Sequence, residues 1–136
     1  MNVSEFVVNV KNPSGVVKNI KSFLDKPEVQ TVIENNDFSE LEKTLVWSGL
    51  GWQGIGLLWA ILRDILGEDT LYNNQDHIPA GFYAYNNIKS KIDLSGYNIG
   101  WIGADAFYKS TLSDIVIPKT CSTFYSQASF WYYYIA

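Results

Sequence analysis

Ile102-Gly-Ala-Asp-Ala-Phe107, with Leu112, Ile115-Val-Ile117 and Pro118 after it, is the stretch on which the reading of the fold turns. Its opening recurs as Tyr125-Ser-Gln-Ala-Ser-Phe130, so that Phe130 falls where Phe107 does one unit earlier. The same step lays Ile92-Asp-Leu94 on Ile115-Val-Ile117. A fixed step in the low twenties, with an alternating apolar triplet and an aromatic, predicts stacked solenoid units. One unit cannot bury its own apolar face. Each short strand points two side chains inward (Ile92 and Leu94, or Ile115 and Ile117), and a returning turn adds Ile102, Ala106 and Phe107. Stacking neighbours closes a continuous core. Such a scaffold offers a surface and brings no chemistry of its own.

Before this stretch, a degenerate unit runs from Ile78-Pro-Ala-Gly-Phe82 through Ile88 to Ile92-Asp-Leu94. Ile-x-x-x-Ala-Phe, a Leu, then Ile-x-Ile-Pro resembles the bacterial BspA-type leucine-rich repeat, matched by residues 102–107, Leu112, Ile115, Ile117 and Pro118. The earlier unit has Ser95 where that pattern has proline, and two extra residues between Phe82 and Ile92. The resemblance covers roughly residues 78–130, about two and a half units. The chain is also similar to short phage and prophage proteins that place a helical segment with an Asn-Asp-Phe stretch before such repeats, here Asn36-Asp37-Phe38. The resemblance implies a binding module and assigns no catalytic residue. In a phage setting it implies an inhibitor that occludes a host enzyme or defence complex, as anti-CRISPR proteins do.

Upstream of the repeats the apolar spacing turns helical. Val16, Val17, Ile20 and Leu24 share one face, Val29, Val32 and Ile33 the next, and Phe38, Leu41, Leu45 and Val46 a third. From about Gln53 to Leu66 the apolar residues nearly encircle the axis, which predicts a central, buried helix that Gly67 ends. Residues 3–10 fit a strand or a helical turn, and residues 71–76 read as polar linker. The expected architecture is therefore α+β: a four-helix N-terminal cap over residues 1–75 and leucine-rich repeats over residues 76–136.

Composition narrows the function. Hydrophobic residues make up 47% and aromatics 15% of 136 residues, enough for one packed core. The net charge of −4 resides in the helical part, which has 10 acidic and 6 basic residues against 4 and 4 after residue 75. A neutral repeat half argues against a basic nucleic-acid stripe. Cys121 is the single cysteine, so neither an intrachain disulfide nor a multi-cysteine metal site can form. MNVSEFVVNVK lacks the basic start of a signal peptide, so the expected location is cytoplasmic.

Three signals compete with this reading. Gly49-Leu-Gly51-Trp-Gln-Gly54 satisfies G-x-G-x-x-G, with Thr44–Trp47 as a conceivable strand before it and Asp69 beyond, the outline of a nucleotide-binding enzyme. It lacks a clear second strand, and Trp52 and Gln53 put bulk where a pyrophosphate would approach, so it reads as an inter-helix turn. The run from Thr44 to Leu62 holds no charge and is nominally long enough to cross a bilayer, but its glycines and a mid-span Trp52 favour a buried hairpin. His77 beside Asp76 reads as a linker histidine, since no G-x-S-x-G elbow accompanies it. No spacing suggests a metal or a cofactor.

The aromatics point to a partner. Tyr83, Tyr85, Tyr97 and Tyr108 sit next to inward positions, and exposed tyrosine gives large contact area at low entropy cost. Stacking between units is the alternative use of the same rings. With Lys89 and Lys91 they could stack single-stranded bases, against the charge balance. At the C-terminus, Trp131, Tyr132, Tyr133, Tyr134 and Ile135 follow Phe130, and Ile135 aligns with Leu112, so the next strand is expected beyond the chain. An end so apolar predicts self-association, most simply a two-fold homodimer, with partner binding or a folded-back tail as alternatives. The function expected is thus non-enzymatic protein binding, the alternative a small self-associating assembly protein.

Overall fold

The computed structural model describes residues 15–88, 90–112, 114–124 and 134–135, with residues 123–124 and 134–135 as backbone only. Helices α1 (Gly15–Leu24), α2 (Pro27–Glu34), α3 (Phe38–Val46), α4 (Gly51–Leu66) and α5 (Glu68–Asn73) come first. Pro27 opens α2, where its missing N–H breaks no helical bond. Asp37 caps α3, its carboxylate accepting the Glu40 N–H at 3.3 Å. Gly67 ends α4 in a backbone conformation (φ +86°) that other residues resist. The polar linker expected over residues 71–76 is in part α5, because Leu71 and Tyr72 are buried and give that helix an inward face. Val46, expected inward, is 51% exposed beside a projecting Trp47.

Six short strands follow: β1 (His77–Ile78), β2 (Ile92–Asp93), β3 (Trp101–Ile102), β4 (Ile115–Ile117), β5 (Thr123–Phe124) and β6 (Tyr134–Ile135). They pair as two parallel three-stranded sheets, β1-β3-β5 and β2-β4-β6, so the chain is α+β. Ile92 pairs with Ile115, the step that the sequence recurrence sets. The first sheet was hidden: Ile102, assigned by the sequence to a turn, pairs with Ile78 in a strand. After β2, Asp93 Oδ1 accepts the Ser95 N–H at 2.9 Å and its hydroxyl at 2.6 Å, an Asx-type turn.

The C-terminal register differs from expectation. Ile135 pairs with Ile117, so the chain does reach the strand expected to lie beyond it. The last unit is simply shorter than the one that carries Ile92 to Ile115, and β6 covers the edge of β4. The recurrence at residues 125–130 and the expected association residues Trp131, Tyr132 and Tyr133 lie outside the described residues.

One apolar cluster runs through helices and strands alike, joining Leu41, Leu58, Trp59 and Leu62 to Phe82, Ile102, Phe107 and Ile115. Phe107 is fully buried in it. Helix α4 lies directly on the first turn after β1, with the Trp59 and Phe82 rings 5.0 Å apart. A Cβ on Gly56 would stand 1.8 Å from the Ala84 carbonyl oxygen, so only glycine permits this approach.

Candidate partner-binding surface

Successive turns are clamped to one another through alternate amides. Gly81, Tyr83 and Tyr85 donate their N–H groups to the carbonyls of Ala104, Ala106 and Tyr108 at 3.1, 2.7 and 2.8 Å. This ladder holds the two turns in register, so side chains from one stack on those of the next. Tyr85 (φ +60°) and Lys109 (φ +51°) occupy matching places in consecutive turns, both in the left-handed region. Bulky side chains avoid that region, because Cβ crowds the carbonyl, at roughly 1–2 kcal/mol per residue. Here the conformation throws both side chains outward together. The Tyr85 and Tyr108 rings meet edge to face at 5.8 Å. The Lys109 ammonium lies 5.7 and 5.6 Å from their centroids, cation–π range for both.

Beside this patch, α4 and the first turn enclose an open groove of about 400 Å3. Gln53, Leu57 and Ala60 form one wall, and Ala84, Tyr85, Asn86 and Asn87 the other. Under it, Arg63 of α4 donates to the Phe82 carbonyl at 2.9 Å and to Asn86 Oδ1. Its guanidinium covers the Tyr83 ring at 4.2 Å. Burial lowers the Arg63 pKa, partly offset by attraction to Tyr83 and Glu68.

Of the four tyrosines expected on a contact rim, only Tyr85 and Tyr108 come together there. Tyr83 is a correction: it is 2% exposed, stacks on Phe107 at 5.3 Å and hydrogen-bonds the Tyr72 hydroxyl. Burial raises its pKa strongly, so its proton stays in place. Tyr97 is tied to the helices, its hydroxyl donating to Asp69 and its ring 4.8 Å from Tyr72. The Asp69 bond, with a smaller contribution from burial, pushes the Tyr97 pKa up to about 12. Lys109 was not singled out by the sequence. Its signal is its matching place with Tyr85, visible only once the turn is known.

His77 is a clamp rather than a linker residue. It is 6% exposed, with its Nε2 2.6 Å from Glu42 Oε1 and its Nδ1 2.8 Å from Asp76 Oδ1. The ring stacks flat on Trp101 at 4.3 Å. Glu42 Oε2 also accepts the Ala80 N–H at 2.7 Å, so α3 is fastened to β1 by one carboxylate. Burial alone would lower the His77 pKa, but its bonds to Glu42 and Asp76 together outweigh burial and raise it. With both nitrogens engaged, the ring has no lone pair to offer a substrate. Glu42 escaped the sequence because it reaches His77 from a distant helix.

The glycine loop joins two helices. Thr44 to Val46 belong to α3, Gly49 and Gly51 turn the chain at φ +78° and +70°, and Asp69 is engaged with Tyr97. The strand and free acid of a dinucleotide site are therefore replaced by α3 and a tied carboxylate. The uncharged run from Thr44 to Leu62 is divided by the same turn. Among the described residues, no helix is long and apolar enough to cross a membrane.

Compared with protein-family models, curated proteins and solved structures, the chain matches none.

Proposed function

We propose that the chain is a non-enzymatic protein-binding module whose contact surface is the Tyr85–Tyr108–Lys109 patch with the adjoining groove. The observation that carries this is the pair of left-handed residues, Tyr85 and Lys109, at matching places of consecutive turns. A fold under selection for stability alone would favour glycine or asparagine at such sites, and backbone strain of this kind gathers where a side chain must be presented. We read the paired strands as a short leucine-rich solenoid with the helices as its N-terminal cap. The near-equal steps of the parallel pairing, His77 to Trp101 in one sheet and Ile92 to Ile115 in the other, support this. In the setting that the phage resemblance implies, such a surface would occlude a host enzyme or defence complex.

A photo-crosslinking side chain at position 108, in a lysate of cells expressing the chain, tests the proposal. A discrete adduct that disappears in Tyr85→Ala protein of unchanged melting temperature is the expected result. Adducts equally strong with and without Tyr85 would place the contact elsewhere.

Self-association is the second reading. It is favoured by β5 and β6, the outermost strands of their sheets among the described residues, which each leave one edge open to a second copy. A full-length chain that stays monomeric by light scattering in concentrated solution would remove it.

A further inference from the structure

We infer that the partner places a carboxylate side chain on Lys109 and an adjacent apolar side chain in the groove beside α4. The surface would thus read a short acidic–apolar segment of a protein chain. This rests on the binding surface proposed above and names the chemistry that surface selects. Charge is the first argument. The chain is acidic overall, at −4, yet no residue lining the groove is acidic. Lys109 stands at one side and Arg63 lies beneath. Among the described residues neither has a carboxylate within ion-pair distance. Arg63 is turned into the seam, bonded to Phe82 and Asn86 and attracted by Glu68, so the outward-facing charge is that of Lys109, which steers and orients an anionic group.

Preorganisation is the second argument. A lysine normally loses rotamer freedom when it is pinned in a complex. Here Lys109 already rests against the Tyr85 and Tyr108 rings, so less freedom remains to be lost. Shape is the third. Leu57 and Ala60 on one wall and Ala84 on the other make the groove partly apolar, and about 400 Å3 accommodates one or two side chains. Tyr85 touches both features, as a groove wall and as one of the rings holding Lys109. An acid and an apolar residue in near succession would therefore meet Lys109 and the groove together.

The test is selection of a displayed library of random twelve-residue peptides on the full chain, followed by titration of a labelled consensus peptide. The expected consensus has Asp or Glu within two positions of Leu, Met or Phe. Its affinity should fall at least tenfold in Lys109→Glu and in Tyr85→Ala. A peptide with lysine in place of the acid should bind Lys109→Glu better than it binds the parent. Peptides that need Tyr85 but ignore Lys109→Glu would overturn the acidic partner and leave the surface standing. Peptides that ignore both substitutions, or no enrichment at all, would overturn the inference and the proposed surface together. A labelled twelve-residue oligothymidylate that binds at physiological salt and is lost in Lys109→Glu would replace the peptide with a nucleic acid. Concentration-dependent dimerisation abolished by Lys109→Glu would replace it with a second copy of this chain.

Discussion

The seam under α4 and the patch beside it are built from the same turn, residues 81–86, and differ in what surrounds each side chain. In the seam, Tyr83 is enclosed by Arg63, Phe82 and Phe107 and bonded to Tyr72. In the patch, Tyr85 is 42% exposed and, among the described residues, meets only Tyr108 and Lys109 as ring partners. Both donate their amides to the next turn, and only Tyr85 does so from the left-handed region, at φ +60°. Burial makes one structural and leaves the other available. The repeating amide ladder thus fixes the backbone of a surface residue as it fixes that of a core residue.

Substitutions on either side of this contrast should differ in size. The largest loss is expected from the seam: Phe82→Ala or Phe107→Ala should each cost about 3–5 kcal/mol, as buried aromatic truncations do. Urea unfolding checks this, and an unchanged midpoint would mean that helices and strands do not share one core. Gly56→Ala forces a methyl group against the Ala84 carbonyl, where the backbone cannot yield cheaply, and should cost about 3 kcal/mol. Tyr83→Phe keeps the ring but strands the buried Tyr72 hydroxyl, an expected loss of about 1–2 kcal/mol. A Tyr83→Phe protein as stable as its parent would show that the bond between the two hydroxyls is dispensable.

The clamp at His77 adds a pH dependence. Its folded pKa lies above the ordinary 6.5, so the fold prefers the protonated ring. That stabilisation is complete below about 6.5 and is lost as pH rises through the folded pKa. Glu42 and Asp76 face the ring from α3 and from the residue that leads into β1, and Lys43 of α3 lines, with His77 and Trp101, an open pocket beside it. Unfolding free energy should therefore decline on going from pH 6 to pH 8, and His77→Gln should flatten that decline. A slope identical in the variant would assign it to other groups.

How much of this was legible in the sequence depends on how far each interaction reaches. The helices were legible because one face of Ile20, Leu24 and their like recurs at short range, and the Ile92–Ile115 pairing because Ile92-Asp-Leu94 and Ile115-Val-Ile117 share one apolar pattern. Helix α5 was not, since Leu71 and Tyr72 are only two apolar residues in a polar stretch. The first sheet was not, because two-residue strands such as Trp101–Ile102 are too short to alternate. The contact surface was half legible. Tyrosine excess pointed to the right turn, but telling Tyr83 from Tyr85 required knowing where α4 lies. Glu42, Arg63 and Lys109 gain their meaning only from partners far along the chain.

Fold and surface are separated most cleanly by replacing the strained tyrosine with a residue at home in the left-handed region. Asparagine tolerates that conformation, as Asn36 already does in this chain at φ +55°. The measurement is the unfolding free energy of Tyr85→Asn, with Tyr83→Asn as its control on the buried side of the same turn. Tyr85→Asn should be as stable as the parent to within about 0.5 kcal/mol, or more stable, while the control loses several. Its photo-crosslink from position 108 should vanish. A Tyr85→Asn protein as destabilised as the control would overturn this separation, because the strained tyrosine would then be holding the fold together.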